Sequence, residues 1–98
     1  MPIHSLEDLR QQRDAIRVLA RQFRASRIRV FGSILRGEVR AESDIDFLVD
    51  FEIDYKLRDH IRLTQALQDL LGRRVEVVDR RSLREELRAH ILQDAQSL

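Results

Sequence analysis

A run of alternating residues near the middle of the chain restricts the fold more than any other feature. In "DIDFLVDFE", residues 44–52, apolar residues alternate with positions that include three aspartates. Successive side chains of a strand point to opposite faces, so the run predicts a strand with one apolar and one acidic face. The apolar face carries Ile45, Phe47, Val49 and Phe51; the other carries Asp44, Asp46, Leu48 and Asp50. Carboxylates in such a strand are costly to bury unless a positive group lies between them.

Helix and strand patterns flank this strand on both sides. Apolar residues at helical spacing predict a helix over residues 5–24, begun by a pattern at Ser5 and Asp8 that resembles a capping box. Residues 28–32, "IRVFG", predict a strand that ends at glycine, followed by a short helical turn over residues 33–37. The remaining elements are a helix over 57–71 ended by Gly72, a strand over 73–79 and a helix from Ser82 to Ala95.

This order of elements predicts an α+β fold, in which a small mixed β-sheet has helices packed on one face. The other face would carry Asp44 and Asp46, with Glu76 as a candidate neighbour. Because the chain has 98 residues and no repeats or linkers, we expect one domain over residues 1–98.

Composition excludes several classes of function. Charged residues make up 36% of the chain but the net charge is +1, which disfavours a dedicated nucleic-acid binder, so we expect no direct DNA binding. The absence of cysteine excludes disulfides, thiol chemistry and Cys-type zinc sites. The charged N-terminal stretch and the lack of a long apolar run predict a cytoplasmic protein with no membrane contact.

Two neighbouring segments carry candidate chemistry. Asp44 and Asp46 would project from the same strand face, about 7 Å apart along the chain. Carboxylates placed in this way suit Mg²⁺, and a pair of metal ions can activate an attacking oxygen and stabilise a leaving one. At the end of the preceding strand, Gly32 allows close backbone approach to a phosphate, and Ser33 and Arg36 add donors.

The spacing of these segments resembles a known family. Gly32-Ser33, ten residues and then Asp44-x-Asp46 is similar to the signature of the DNA polymerase β-like nucleotidyltransferases. The fuller "GSILRGEVRAESDIDFLV" resembles the minimal nucleotidyltransferases (MNT), and "LLGRRVEVVD" resembles their third motif, where a strand carries a third carboxylate. The resemblance covers nearly the whole chain and implies the minimal polymerase β-like fold.

The resemblance also implies roles for individual residues and two ligands. The catalytic and metal-binding residues would be Asp44, Asp46 and Glu76. The nucleotide-binding residues would be Gly32, Ser33, Arg36 and Ser43. Two Mg²⁺ ions would be the cofactors and ATP the substrate, with AMP passed to a hydroxyl and pyrophosphate released.

Two positions leave alternatives open. The family usually has Asp where this chain has Glu76, and Asp79 is a rival for the role, although its odd offset from Glu76 predicts the opposite strand face. Ser43 either begins the strand or orients Asp44 by a hydrogen bond.

The implied partner is a HEPN-domain toxin. In many MNT systems the nucleotidyltransferase is the antitoxin, and the resemblance implies AMPylation of a toxin tyrosine, as in a type VII-like toxin–antitoxin pair. The alternative is an antitoxin that occludes its partner with little or no catalysis. An RNA-tailing enzyme is disfavoured because the chain has no extra domain to hold a polynucleotide.

Overall fold

A four-stranded mixed sheet organises the protein, as seen in a computed structural model that describes residues 3–37 and 43–98. The helices are α1 (Leu6–Arg10), α2 (Arg13–Gln22), α3 (Leu57–Leu71) and α4 (Glu85–Asp94). The strands are β1 (Ala25–Phe31), β2 (Ile45–Phe51), β3 (Val75–Asp79) and β4 (Gln96–Ser97). Two 3-10 segments, Gly32–Arg36 and Arg80–Ser82, follow β1 and β3.

The sheet has the strand order β3-β2-β1-β4. Strand β1 is antiparallel to β2 and to β4, whereas β2 and β3 are parallel. A parallel pair needs a long crossover connection, and α3 supplies it. In this register Asp46 lies opposite Phe31 on one side and Glu76 on the other. The ends of β1, β2 and β3 that carry the predicted site therefore lie side by side.

The apolar face of β2 forms the centre of the core, as its alternation predicts. Phe47 and Val49 are completely buried, and α2 and α3 contribute buried side chains to the same cluster. These helix residues are Ile16, Ala20, Leu63, Leu67 and Leu71. On the opposite face Leu48 is also completely buried, so that face is polar only on either side of it. The small mixed sheet with packed helices confirms the predicted fold class.

Several boundaries differ from the sequence prediction. The first predicted helix is divided into α1 and α2, although Ser5 Oγ does accept from the Asp8 N–H at 3.2 Å. The last helix starts at Glu85 rather than Ser82 because Asp79 caps the 3-10 segment Arg80–Ser82. Strand β1 begins three residues earlier than predicted, and β4 was not predicted.

Asp50 also differs from expectation. Its position near the end of β2 predicts a surface residue, but its side chain is only 24% exposed and lies 3.8 Å from Arg29. Arg29 is itself buried, and burial lowers its pKa. Arg29 Nε and Asp50 Oδ1 have no hydrogen-bond partner among the described residues. The ion pair explains how the sheet tolerates these two charges.

Within residues 3–37 and 43–98, no helix is both long and apolar enough to cross a membrane.

Candidate active site

The end of β1 brings the backbone against a carboxylate of β2. Gly32 follows β1 with φ +85°, a left-handed conformation that favours glycine. A Cβ atom added to Gly32 would lie only 2.5 Å from Asp46 Oδ2. Glycine is therefore required at this position both by the backbone angle and by the neighbouring carboxylate. The predicted phosphate-binding turn consequently lies in direct contact with the predicted acidic face.

A second carboxylate faces Asp46 from the parallel strand. Glu76 is the β3 neighbour of Asp46 in register. Burial raises the pKa of Asp46 to about 6, helped by the negative charges of Glu76 and Asp44 and by a hydrogen bond with Glu76, against the opposing charge of Arg36. Asp46 and Glu76 thus form an acid pair across the two parallel strands.

Asp44 forms an ion pair with an arginine in the structure. Its Oδ1 is 3.2 Å from Arg74 Nε, and both side chains are substantially exposed, at 42% and 76%. An exposed ion pair of this kind contributes little to stability and is easily exchanged. In the described part of the chain, no three Asp, Glu or His side chains are arranged to hold one metal ion. Of the three predicted carboxylates, the structure therefore places Asp46 beside Glu76, whereas Asp44 is paired with Arg74.

The acid pair nevertheless has the chemistry of a cation site. The carboxylates of Asp46 and Glu76 lie on neighbouring strands in register, and carboxylate oxygen is the ligand that Mg²⁺ prefers. A bound cation would stabilise both carboxylates in their charged forms. The donor set at Asp46 and Glu76 fits the predicted magnesium.

Asp79, the rival to Glu76, has a structural role. It is buried, accepts from the Tyr55 hydroxyl at 3.0 Å and accepts from the Arg81 backbone N–H at 3.0 Å. These bonds cap the 3-10 segment after β3 and hold Tyr55. Glu76 therefore stays the predicted third carboxylate.

The other predicted nucleotide contacts surround Gly32. Ser33 is half-buried and Arg36 is exposed, both in the 3-10 segment that Gly32 begins. Ser43 lies outside β2, and its carbonyl oxygen accepts from Arg73 Nη2 at 2.6 Å. Arg73 Nη1 donates to the Ile3 carbonyl at 2.6 Å, so this side chain ties two segments together. Sequence reasoning missed the role of Arg73, because its two bonds join segments that are distant in the chain and no local pattern predicts them.

A cavity of about 340 Å³ lies beside the site. Its lining residues are Gly32, Leu35, Arg36, Gln93, Asp94 and Gln96. Three of these residues, from the end of α4 and from β4, were not predicted to belong to the site. One sequence feature could have pointed to this wall. Asp94 is an acidic residue at the C-terminal end of a predicted helix, where the helix dipole disfavours negative charge.

Known proteins resemble this chain in sequence and in fold. The family described as "Polymerase beta, Nucleotidyltransferase" matches residues 13–98. A protein of Thermococcus cleftensis named protein adenylyltransferase MntA is 41% identical over 76 residues, which are 78% of this chain and 77% of that protein.

Two solved structures share the fold. One, assigned provisionally as a minimal nucleotidyltransferase, is 48% identical with a TM-score of 0.87 and 96% of each chain covered. Another is described as a toxin–antitoxin with AMP-PNP; it is 27% identical with a TM-score of 0.72, covering 86% of this chain and 69% of that chain. The predicted resemblance and the minimal nucleotidyltransferase fold are confirmed.

The acid pair predicts a pH-dependent loss of stability in metal-free protein. The pKa of Asp46 is about 6 in the folded chain against an ordinary value of 3.8, so the native state holds the proton more tightly. The free energy of unfolding should therefore fall as pH rises from about 4 to about 6 and stay lower above it. Asp46→Asn should raise stability at pH 7 by roughly 1 kcal/mol, discounted for partial exposure, or about 4–8 °C in Tm.

Thermal unfolding with a chelator, at pH 4 and pH 7, measures this effect. Glu52→Gln, which removes one exposed carboxylate from a loop, is the matched control and should change Tm little. A lower Tm for Asp46→Asn at pH 7 would contradict the prediction.

Gly32→Ala should lower the free energy of unfolding more than the same substitution at a glycine with open space around its Cα atom. Gly72 has φ +67° and nothing within 4 Å of an added Cβ, so Gly72→Ala bears only the backbone cost of roughly 1–2 kcal/mol. Gly32→Ala bears a similar cost and must also displace the Asp46 carboxylate. Chemical denaturation of both variants compares the two costs.

An Asp46→Ala background isolates the contact. Removal of the carboxylate should bring the cost of Gly32→Ala down to that of Gly72→Ala. Equal costs of the two glycine substitutions in the wild-type background would show that the contact does not constrain Gly32.

Proposed function

The chain belongs to the polymerase β nucleotidyltransferase family, and from this premise we propose that it transfers AMP from ATP to a hydroxyl of a partner protein. The observation that carries the proposal is the contact between the Gly32 turn and Asp46, which faces Glu76. A phosphate-binding turn and an acid pair in contact are the two parts that nucleotidyl transfer requires. Pyrophosphate is the other product.

The turn after β1 would hold the triphosphate. Gly32 lets the backbone approach the phosphate oxygens closely, and Ser33 offers a hydroxyl beside it. Arg36, in the same 3-10 segment, adds a charged donor. ATP as the nucleotide is supported by the AMP-PNP in the related toxin–antitoxin structure and by the name of the Thermococcus relative.

Magnesium would bind at Asp44, Asp46 and Glu76, as two ions, and when bound it would neutralise phosphate charge and lower the pKa of the attacking hydroxyl. For Asp44 to take part, its exposed ion pair with Arg74 must open, which costs little. Ser43, anchored through its carbonyl by Arg73, would fix the start of β2 and with it Asp44.

The transfer itself is an in-line displacement. The acceptor oxygen forms a bond to the α-phosphorus, while the bond from that phosphorus to the oxygen bridging to the β-phosphorus breaks. Glu76 would accept the proton of the acceptor hydroxyl, and pyrophosphate would leave with the electron pair of the broken bond. The chain contributes the position of the reactants and the charges around them.

The proposed acceptor is a tyrosine of a HEPN-domain toxin, and the chain would act as its antitoxin in the cytoplasm. The 27% identical structure is a toxin–antitoxin complex, which supports a protein partner. Three apolar side chains offer a surface for one: Ile53, Leu57 and Ile61 are 94%, 72% and 51% exposed. Leu57 and Ile61 are four residues apart on α3 and so share a helix face, which supports a docking ridge, and Ile53 lies in the turn before that helix.

The same ridge favours a second candidate, an antitoxin that neutralises its partner by occlusion alone. The acid pair argues for catalysis, because a raised pKa beside a glycine turn costs stability without aiding docking. The two functions make opposite predictions for mutants of the site.

Asp46→Ala and Glu76→Ala should abolish modification of the partner, since each removes half of the acid pair. The protein is incubated with ATP, magnesium and the product of the neighbouring gene, and both proteins are weighed by intact mass spectrometry. Wild type should add whole AMP units to the partner, and Glu52→Ala should do the same. A partner that stays unmodified by wild type yet is inhibited in a stable complex would establish occlusion instead.

A further inference from the structure

The cavity beside Gly32 has a polar wall, formed by Gln93, Asp94 and Gln96, that has no role in the proposed transfer step. We infer that this cavity binds the nucleoside of ATP, and that Asp94 recognises the ribose hydroxyls. The inference rests on the proposed function and adds the determinants of nucleotide choice to it. It requires the cavity to adjoin the phosphate site, to be large enough and to carry the right donors and acceptors.

The position of the cavity meets the first requirement. Gly32 and Arg36 belong to both the phosphate-binding turn and the cavity wall. The opposite wall is held in place by β4, where Gln96 pairs with Val30 of β1. A group that fills the cavity would therefore lie next to phosphates bound at Gly32. Its volume of about 340 Å³ lies within the usual range of small-molecule sites.

Asp94 is placed at a cost to the fold. It is the last residue of α4, where the unsatisfied carbonyl groups of a helix carry partial negative charge. Within the described residues, its carboxylate has no hydrogen bond or ion pair, and α4 buries none of its side chains. A carboxylate that aids neither helix nor core but lines a cavity is well explained by a ligand.

The chemistry of the wall matches a ribonucleoside. A carboxylate can accept from ribose hydroxyls, as an acidic residue does in dinucleotide-binding folds. The side-chain amides of Gln93 and Gln96 provide both donors and acceptors, the combination that recognises an adenine edge. Arg10 donates to Gln96 Oε1 at 3.4 Å, which orients that amide. Leu35 supplies apolar contact for a base or sugar.

The rival occupant is the acceptor segment of the partner protein. Both occupants would contact Asp94, but only the nucleoside makes Asp94 sensitive to the sugar of the nucleotide. Comparison of ATP with 2′,3′-dideoxyATP separates them.

The experiment measures the Kd of both nucleotides by calorimetry, with magnesium, for the full chain. Wild type should bind ATP about 10–100-fold more tightly than the dideoxy analogue, from the loss of hydrogen bonds to a charged group. Asp94→Ala should weaken ATP binding by the same factor and leave the analogue unchanged, so that the two bind equally. Asp94→Asn, which keeps the side-chain size, should retain only part of the discrimination. Glu86→Ala, an exposed acidic residue on the same helix, should behave as wild type.

Three results would overturn the inference. Wild type could bind both nucleotides equally, or Asp94→Ala could keep the discrimination. In transfer assays, Asp94→Ala could raise KM for the partner protein and not for ATP, which would assign the cavity to the acceptor. In all three cases wild type still binds ATP, so the proposed function stands; wild type that binds no ATP would remove the proposed function together with the inference.

Discussion

The contact between Gly32 and the Asp46 carboxylate is the constraint on which the site depends. It requires the antiparallel register that places Phe31 opposite Asp46, and it requires a residue with no side chain and a left-handed backbone immediately after β1. The parallel pairing of β2 with β3 then adds Glu76 on the far side of Asp46. Three strand ends, the turn and both carboxylates are consequently positioned by the same sheet. The precision of the site comes from backbone pairing rather than from flexible side chains.

Local patterns in the sequence were sufficient for the parts of the fold that depend on local physics. The alternation of residues 44–52 predicted β2 and its two faces because strand geometry has a period of two, and Gly72 marked the end of α3 because a left-handed residue ends a helix. The features that were missed depend on tertiary contacts. Strand β4 has two residues and forms by pairing with the free edge of β1. Asp50 is half-buried beside Arg29, whose guanidinium lies 3.8 Å from its carboxylate.

In the candidate site, too, the sequence predicted what depends on local pattern and missed what depends on tertiary contacts. Strand parity and the family motif brought Asp46 and Glu76 to one face, and the structure has them as register neighbours. Neither source of information could reveal that Asp44 rests on Arg74, because that depends on the rotamers of two exposed side chains. The cavity wall from α4 and β4 was also beyond sequence reasoning, since it is formed by elements that follow the motif by more than forty residues.

The parallel arrangement of β2 and β3 has a consequence for the order of folding. Strands β1 and β2 are close in the chain, so their antiparallel pairing requires only a short loop closure. Glu76 can reach Asp46 only after α3 has formed the crossover between β2 and β3, which makes the acid pair a non-local contact. A partly folded chain with the β1–β2 pair would therefore contain the Gly32 turn before its second carboxylate. The turn proposed to hold the phosphates would thus form earlier in folding than the acid pair proposed for the transfer.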